Sequence, residues 1–382
     1  MLPQYTASDK DVEDFLKKRI AVIGYGSQGS AQALNLRDSG ADVIIGNRPG
    51  KSFDRAESDG FTVCSVRDAV TSADVIAVML PDEAAGEIYS TDIAPYLRAH
   101  QTLLFAHGFN IHYKFIAPPV DVDVVMVAPK GVGPMVRKLF LDGGGAPSLV
   151  AVAQDATGAA LHTALGYAAL IGSSRSAILQ STFKDETETD LFGEQAVICG
   201  GIPALIEAAF ETLVDAGYQP ELAYSECAHE VKLVVDLIYA GGFSAMHDSV
   251  SKTAGYGGIT RGKRLVSDET RAEMKKILDE VQSGEFADEW IAEKRSGSLN
   301  YRNLVEEARE SQVETAGRAF RNILETGTGL KKSAGMNVNP ENRVKQQHVA
   351  DDFGDFFPCR EKHHCNRTLQ NTFRQRSDGR SV

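Results

Sequence analysis

Five cysteines in 382 residues, at positions 64, 199, 227, 359 and 365, are too few and too irregularly spaced for a disulfide framework. They read as reduced thiols, as in a cytosolic protein. No run approaches the roughly 18 to 20 consecutive apolar residues of a membrane span, so none is expected. Basic residues are in deficit, 40 Lys and Arg against 52 Asp and Glu, a net charge of −12. That balance excludes a general affinity for nucleic acid or anionic membrane. The first residues lack an apolar h-region and an Arg/Ser-rich transit pattern, and a cytoplasmic location is expected. The deficit reverses in 331–382, where ten basic residues face six acidic ones. This segment also lacks apolar periodicity and is expected to be a disordered tail. Its Cys359, His363, His364 and Cys365 lie too close together to supply the two separated knuckles of a structural zinc site.

What remains is ordinary globular material, 43% hydrophobic and 24% charged. Short β-branched runs at 19–24, 42–46, 74–80, 102–106, 123–128 and 148–153 alternate with helical patterns. That alternation predicts a doubly wound parallel sheet of the Rossmann type over 1–182. From 183 to 330 the pattern turns to long helical segments at 187–199, 203–216, 220–242, 268–283 and 301–325. Glycine-rich breaks are expected at 200–201, 241–242 and 255–262. The fold class is thus α/β, a nucleotide-type sheet domain followed by an all-α domain.

Two motifs carry chemistry. Gly24-Tyr25-Gly26-Ser27-Gln28-Gly29 follows the first apolar run and opens a helix. Its glycines suit a tight turn, a close approach to a pyrophosphate and close helix packing, with the helix N-terminus facing the anion. The second run then ends in Asn47-Arg48-Pro49-Gly50-Lys51-Ser52 without an acid to hold a ribose 2′-hydroxyl. Arg48, Lys51 and Ser52 can surround a 2′-phosphate instead, which favours NADPH; the alternative is a plain polar turn. The second motif is a pair of acid pairs. Asp190 and Glu194, then Glu226 and Glu230, are each spaced i, i+4 in apolar helical surroundings, so each pair shares one helix face. Hard oxygen donors of this kind suit two Mg²⁺ ions. The alternative is four solvent-facing acids.

Together these motifs resemble the ketol-acid reductoisomerases, in their short class I form. The resemblance runs from about residue 10 to 330 and is most specific over Thr182-Phe183-Lys184-Asp185-Glu186-Thr187-Glu188-Thr189-Asp190-Leu191-Phe192-Gly193-Glu194-Gln195. Ala106-His107-Gly108-Phe109-Asn110 and Ala128-Pro129-Lys130-Gly131 also match in order. The resemblance implies Mg²⁺-dependent alkyl migration and NADPH reduction of 2-acetolactate or 2-aceto-2-hydroxybutyrate, in valine and isoleucine synthesis. It implies Asp190, Glu194, Glu226 and Glu230 as metal ligands, the last two from the partner subunit of a homodimer or larger assembly. His107, Lys130 and Glu230 would be catalytic, Ser251 would contact the substrate carboxylate, and Gly133 would join the cofactor loop. Val132, Pro134, Lys252 and Gly255 depart from the family pattern, so the exact substrate stays open. A related substrate of secondary metabolism, a metal-independent hydroxyacid dehydrogenase and a catalytically silent relative are the alternatives.

Overall fold

The computed structural model describes residues 2–327 of the chain. The proposed tail with its 359–365 cluster lies outside them. Nine strands form one sheet: β1 (Gln4–Tyr5), β2 (Arg19–Ile23), β3 (Asp42–Gly46), β4 (Thr62–Cys64), β5 (Val75–Val78), β6 (Thr102–Phe105), β7 (Asp123–Pro129), β8 (Ser148–Gln154) and β9 (Ile178–Gln180). Their order is β1-β9-β8-β7-β6-β5-β2-β3-β4. The central strands are buried along their whole length, because helices cover both faces of a parallel sheet. One apolar cluster on one face includes Phe15, Ile20, Val22, Leu36 and Tyr167; another includes Ile23, Ile76, Leu103 and Met126.

The sheet is mixed, which corrects the all-parallel expectation. β8 runs antiparallel to β7, and β1 antiparallel to β9. The 130–147 connection never crosses to the other end of the sheet. Lys130 N donates to Pro147 O at 2.8 Å, and Pro129 registers with Ser148, so the chain re-enters where it left and must turn back. The expected runs missed β1, β4 and β9, which have two or three residues each, too short to show a period.

Helices fill the remainder from Phe183 onward. Phe183–Gly193 continues through a π-helical turn, Glu194–Ile198, into Gly201–Asp215. Within this stretch, Phe183–Asp215, one 18-residue window reaches a mean hydropathy of 1.7, enough by length and composition alone to cross a membrane. It contains no uninterrupted apolar run of 18 residues, so the expectation of no membrane span stands. The break at 241–242 appears as a kink at Gly242 inside Val231–Ser249. The break expected at 255–262 does not: Lys252–Leu265 is a helix despite its glycines. Ser251 caps it by accepting from Ala254 N at 3.1 Å, and Lys263 and Arg264 suit its C-terminal dipole. Glu285–Arg295 was not anticipated, and 301–325 divides into Leu299–Glu310 and Gln312–Gly327 at Ser311.

Candidate active site

β2 stands between β3 and β5, where the strand order reverses, and its carboxyl end opens on the crevice that such switch points create. Gly24 has φ +93°, and a Cβ there would lie 2.7 Å from Met79 O. A Cβ on Gly29 would lie 2.3 Å from Gly24 O, whereas one on Gly26 would meet nothing within 4 Å. The loop is therefore closed on its inner side and open at Gly26, the face a pyrophosphate needs. Gly26 is the N-cap of helix Ser27–Asp38 and offers no side-chain cap, so the first N–H groups remain available to an anion.

Several expected cofactor residues act differently from one another. The Tyr25 ring is buried, packed edge-on against Phe61, and its hydroxyl donates to Asp59 at 2.8 Å. With the ring so placed, it is the Tyr25 backbone that lies in the loop. Gln28 Nε2 donates to Gly131 O at 2.8 Å, and Gln28 Oε1 accepts from Gln32 at 3.0 Å, so its amide ties the loop to the segment after β7. A Cβ on Gly133 would lie 2.1 Å from Ser27 O; this glycine lets that segment close on the loop. Arg48, Lys51 and Ser52 are exposed together beyond β3, with no acid before Asp54.

The acid site is built around a residue that the spacing argument passed over. Glu186 is almost fully buried on helix Phe183–Gly193, one turn before Asp190. It accepts from His107 Nδ1 at 3.0 Å, from Gly108 N at 2.9 Å and from Lys130 Nζ at 2.8 Å. Lys130 also donates to Asp190 at 2.7 Å, and His107 lies 3.6 Å from the other Asp190 oxygen. A Cβ on Gly108 would lie 2.3 Å from Thr187 Oγ1, so only glycine lets the loop after β6 approach the helix this closely. Burial opposes the Glu186 charge, but His107 and Lys130 outweigh it and hold the carboxyl down to about 2. Burial likewise opposes the His107 cation, yet Glu186, Asp82 and Asp190 raise it to about 9. Asp82, at the start of helix Asp82–Ile88, is pushed up to about 6 by burial, against the pull of His107.

Glu194 stands one turn after Asp190, at the start of the π-helical turn, and is raised by burial and by the Asp190 charge. A carboxyl raised by a neighbouring carboxylate is what a bound cation relieves, and the donor set is hard oxygen. His107, Glu186 and Asp190 bring ligand atoms within 4.8 Å of one another. Among the described residues that grouping does not include Glu194, Glu226 or Glu230. Glu226 lies on a second π-helical turn, Ser225–His229, and Glu230 follows it. The single chain thus assembles Asp190 with His107 and Lys130 and leaves the second acid pair and Ser251 outside that cluster.

The signal for Glu186 was present in the sequence: positions 186, 190 and 194 extend the i, i+4 series by one turn. Asp82 had no such signal. A neighbouring network was also unanticipated. Buried Glu188 takes His112 Nε2 at 3.2 Å and Gln282 Nε2 at 3.0 Å, while Tyr113 donates to Val281 O at 2.7 Å. It seats the loop after β6 on helix Asp268–Ser283.

Comparison with known proteins agrees with both halves of this geometry. Residues 15–177 match the family model described as acetohydroxy acid isomeroreductase, NADPH-binding domain, and residues 183–326 match the ketol-acid reductoisomerase C-terminal domain. The chain is similar to the structure of an NADH-preferring ketol-acid reductoisomerase from an uncultured archaean. That pair shares 45% identity over 84% of this chain and 99% of that one, with a TM-score of 0.80. A semialdehyde dehydrogenase NAD-binding protein from Cupriavidus necator shares the fold at 20% identity, over 70% of this chain and 99% of that one, with a TM-score of 0.54.

Proposed function

The chain belongs to the ketol-acid reductoisomerases of branched-chain amino-acid biosynthesis, NAD(P)H-dependent oxidoreductases, and on that premise we propose how its own residues divide the work. The sheet domain, 1–182, takes NADPH, and the helical domain, 183–330, takes two Mg²⁺ ions and the substrate. The observation that carries this reading is the Glu186 site, which joins His107 and Lys130 of the first domain to Asp190 of the second. The substrates are 2-acetolactate and 2-aceto-2-hydroxybutyrate, and the enzyme is soluble and cytoplasmic.

Asp190 and Glu194 would hold the metal ions, together with Glu226 and Glu230 contributed by a second copy. Bound there, divalent ions acidify the substrate hydroxyl and polarise its ketone. Lys130, held by Glu186, fixes one oxygen of the Asp190 carboxylate. His107, kept protonated by Glu186, places a donor beside the same group. Glu230 is suited to relay the hydroxyl proton, and Ser251 to receive the substrate carboxylate. The glycine loop would hold the pyrophosphate of the nicotinamide cofactor, which would supply the hydride for the reduction. Arg48, Lys51 and Ser52 support a 2′-phosphate and hence NADPH; the NADH preference of the archaean relative makes the two nucleotides a necessary comparison.

The homodimer is supported by apolar surface that one chain leaves in water. Tyr239 is 91% exposed, and Phe243 and Tyr256 are 69% exposed, on helices that also carry Leu233, Val235 and Ile259. Large apolar side chains exposed together on helices Val231–Ser249 and Lys252–Leu265 support an association surface. The altered positions Val132, Pro134, Lys252 and Gly255 bear on which acetolactate-like acid is preferred.

The test is oxidation of NADPH and of NADH with 2-acetolactate, with and without Mg²⁺, beside Asp190→Asn. We expect Mg²⁺-dependent turnover that the substitution lowers by at least about a hundredfold, with nucleotide affinity unchanged. Turnover that ignores Mg²⁺ would favour a metal-independent dehydrogenase. Nucleotide binding without any turnover would point to a silent relative or to a different substrate.

A further inference from the structure

Arg55 lies outside both chemical motifs, yet its side chain runs underneath the first of them. It stands on helix Lys51–Ser58, the helix whose first residues are Lys51 and Ser52. Its Nη2 donates to Tyr25 O at 2.5 Å and approaches Gly26 O at 3.3 Å. Its guanidinium lies 5.0 Å from the centre of the Tyr25 ring, within cation–π range. Its Nε is buried with no hydrogen-bond partner among the described residues. The Tyr25 hydroxyl completes the clamp on Asp59, the C-cap of the same helix.

In a trans peptide the C=O of one residue and the N–H of the next point in opposite directions. A guanidinium that draws the Tyr25 carbonyl inward therefore turns the Gly26 N–H outward, while the Gly26 carbonyl is held chiefly by Ser30 N at 3.0 Å and Ser30 Oγ at 2.7 Å, in the first turn of the helix. That N–H stands at an uncapped helix N-terminus, where an anion is favoured. Leaving the buried Nε unpaired costs free energy, which the bonds to the loop carbonyls and the contact with the Tyr25 ring partly offset.

We infer that Arg55 is the positioning residue of the pyrophosphate loop. It fixes the peptide plane that follows Tyr25 and mechanically couples the loop to the helix that carries the ribose-side residues Lys51 and Ser52. It touches neither the reacting atoms nor the acid site. Its removal therefore weakens dinucleotide binding and spares the chemical step. Arg55→Lys keeps the charge but loses the planar fork and its stacking, so its effect is intermediate.

The inference rests on the nucleotide-binding reading of the loop, so the wild-type protein is titrated first with NADPH and NADH by nicotinamide fluorescence. No binding there sinks that reading and not only the role of Arg55. With wild-type binding established, Arg55→Met is expected to raise the dissociation constant at least about tenfold. Its kcat at saturating nucleotide stays within about twofold and its Mg²⁺ dependence is unchanged. Arg55→Lys is expected at about threefold. A folded Arg55→Met protein with wild-type affinity, or one that loses kcat at saturation without losing affinity, overturns the inference. If Arg55→Met does not fold, Arg55→Lys decides: a threefold rise with kcat intact supports it, and unchanged affinity overturns it.

Discussion

Glu186→Gln is expected to lower turnover by at least about a hundredfold and to destabilise the metal-free protein by about 2–3 kcal/mol. The amide keeps the shape but removes the charge that His107, Gly108 and Lys130 all address. Lys130 would then keep only Asp190, and His107 only the more distant Asp190 and Asp82. The stability effect is read by chemical denaturation in a chelator, and the electrostatic effect by the NMR titration of the His107 ring. That ring should fall from about 9 back toward its ordinary value near 6.5.

The same pair sets a pH dependence whose sign follows from the two shifts. His107 is raised in the folded state, so its contribution is fully present below about pH 6.5 and is lost as pH climbs through about 9. Glu186 is lowered, so its contribution is present above about pH 4.5 and is lost as pH falls toward about 2. The metal-free wild type should gain most from the pair between those limits, by roughly 3 kcal/mol counted once for the shared interaction. Glu186→Gln should show neither slope. A chelated wild type whose denaturation midpoint is flat from pH 6.5 to 9 would count against the His107–Glu186 pair as a stabilising contact.

The second large effect separates binding from folding within one loop. Gly26→Ala should leave stability within about 0.5 kcal/mol, because the added methyl meets open space and the backbone, at φ −81°, suits any residue. Nucleotide affinity should nevertheless fall at least about tenfold, since the methyl occupies the side where a pyrophosphate must approach the backbone. Gly29→Ala should instead cost more than about 1–3 kcal/mol and lose binding as a consequence. Its methyl would sit 2.3 Å from a backbone oxygen that cannot move independently of the turn. Thermal melting with and without NADPH distinguishes the two: the first variant should melt normally and gain little from the nucleotide, the second should melt early in both conditions.

These expectations draw on two kinds of information. Sequence by itself determined the sheet-then-helix layout, because buried parallel strands and amphipathic helices each write their period into about ten neighbouring residues. It also determined the glycine loop and the placing of Asp190 with Glu194 on one helical face, both consequences of short-range geometry. The 186 position belonged to the same series and was legible in principle.

Only the tertiary structure decided the rest. The antiparallel return of β8 depends on a bond between Lys130 and Pro147 across a long connection, and no local period encodes which end of a sheet a chain re-enters. Helix Lys252–Leu265 forms against the propensity of its glycines, with a cap and terminal charges that window-level patterning does not weigh. Glu186 became the centre of the site because His107 and Lys130, 79 and 56 residues away, converge on it. Arg55 reached beneath the glycine loop from a helix 30 residues on. In each case the deciding energy is a contact between segments distant in sequence. Such contacts acquire their direction and their low-dielectric strength only once the sheet has brought the segments together.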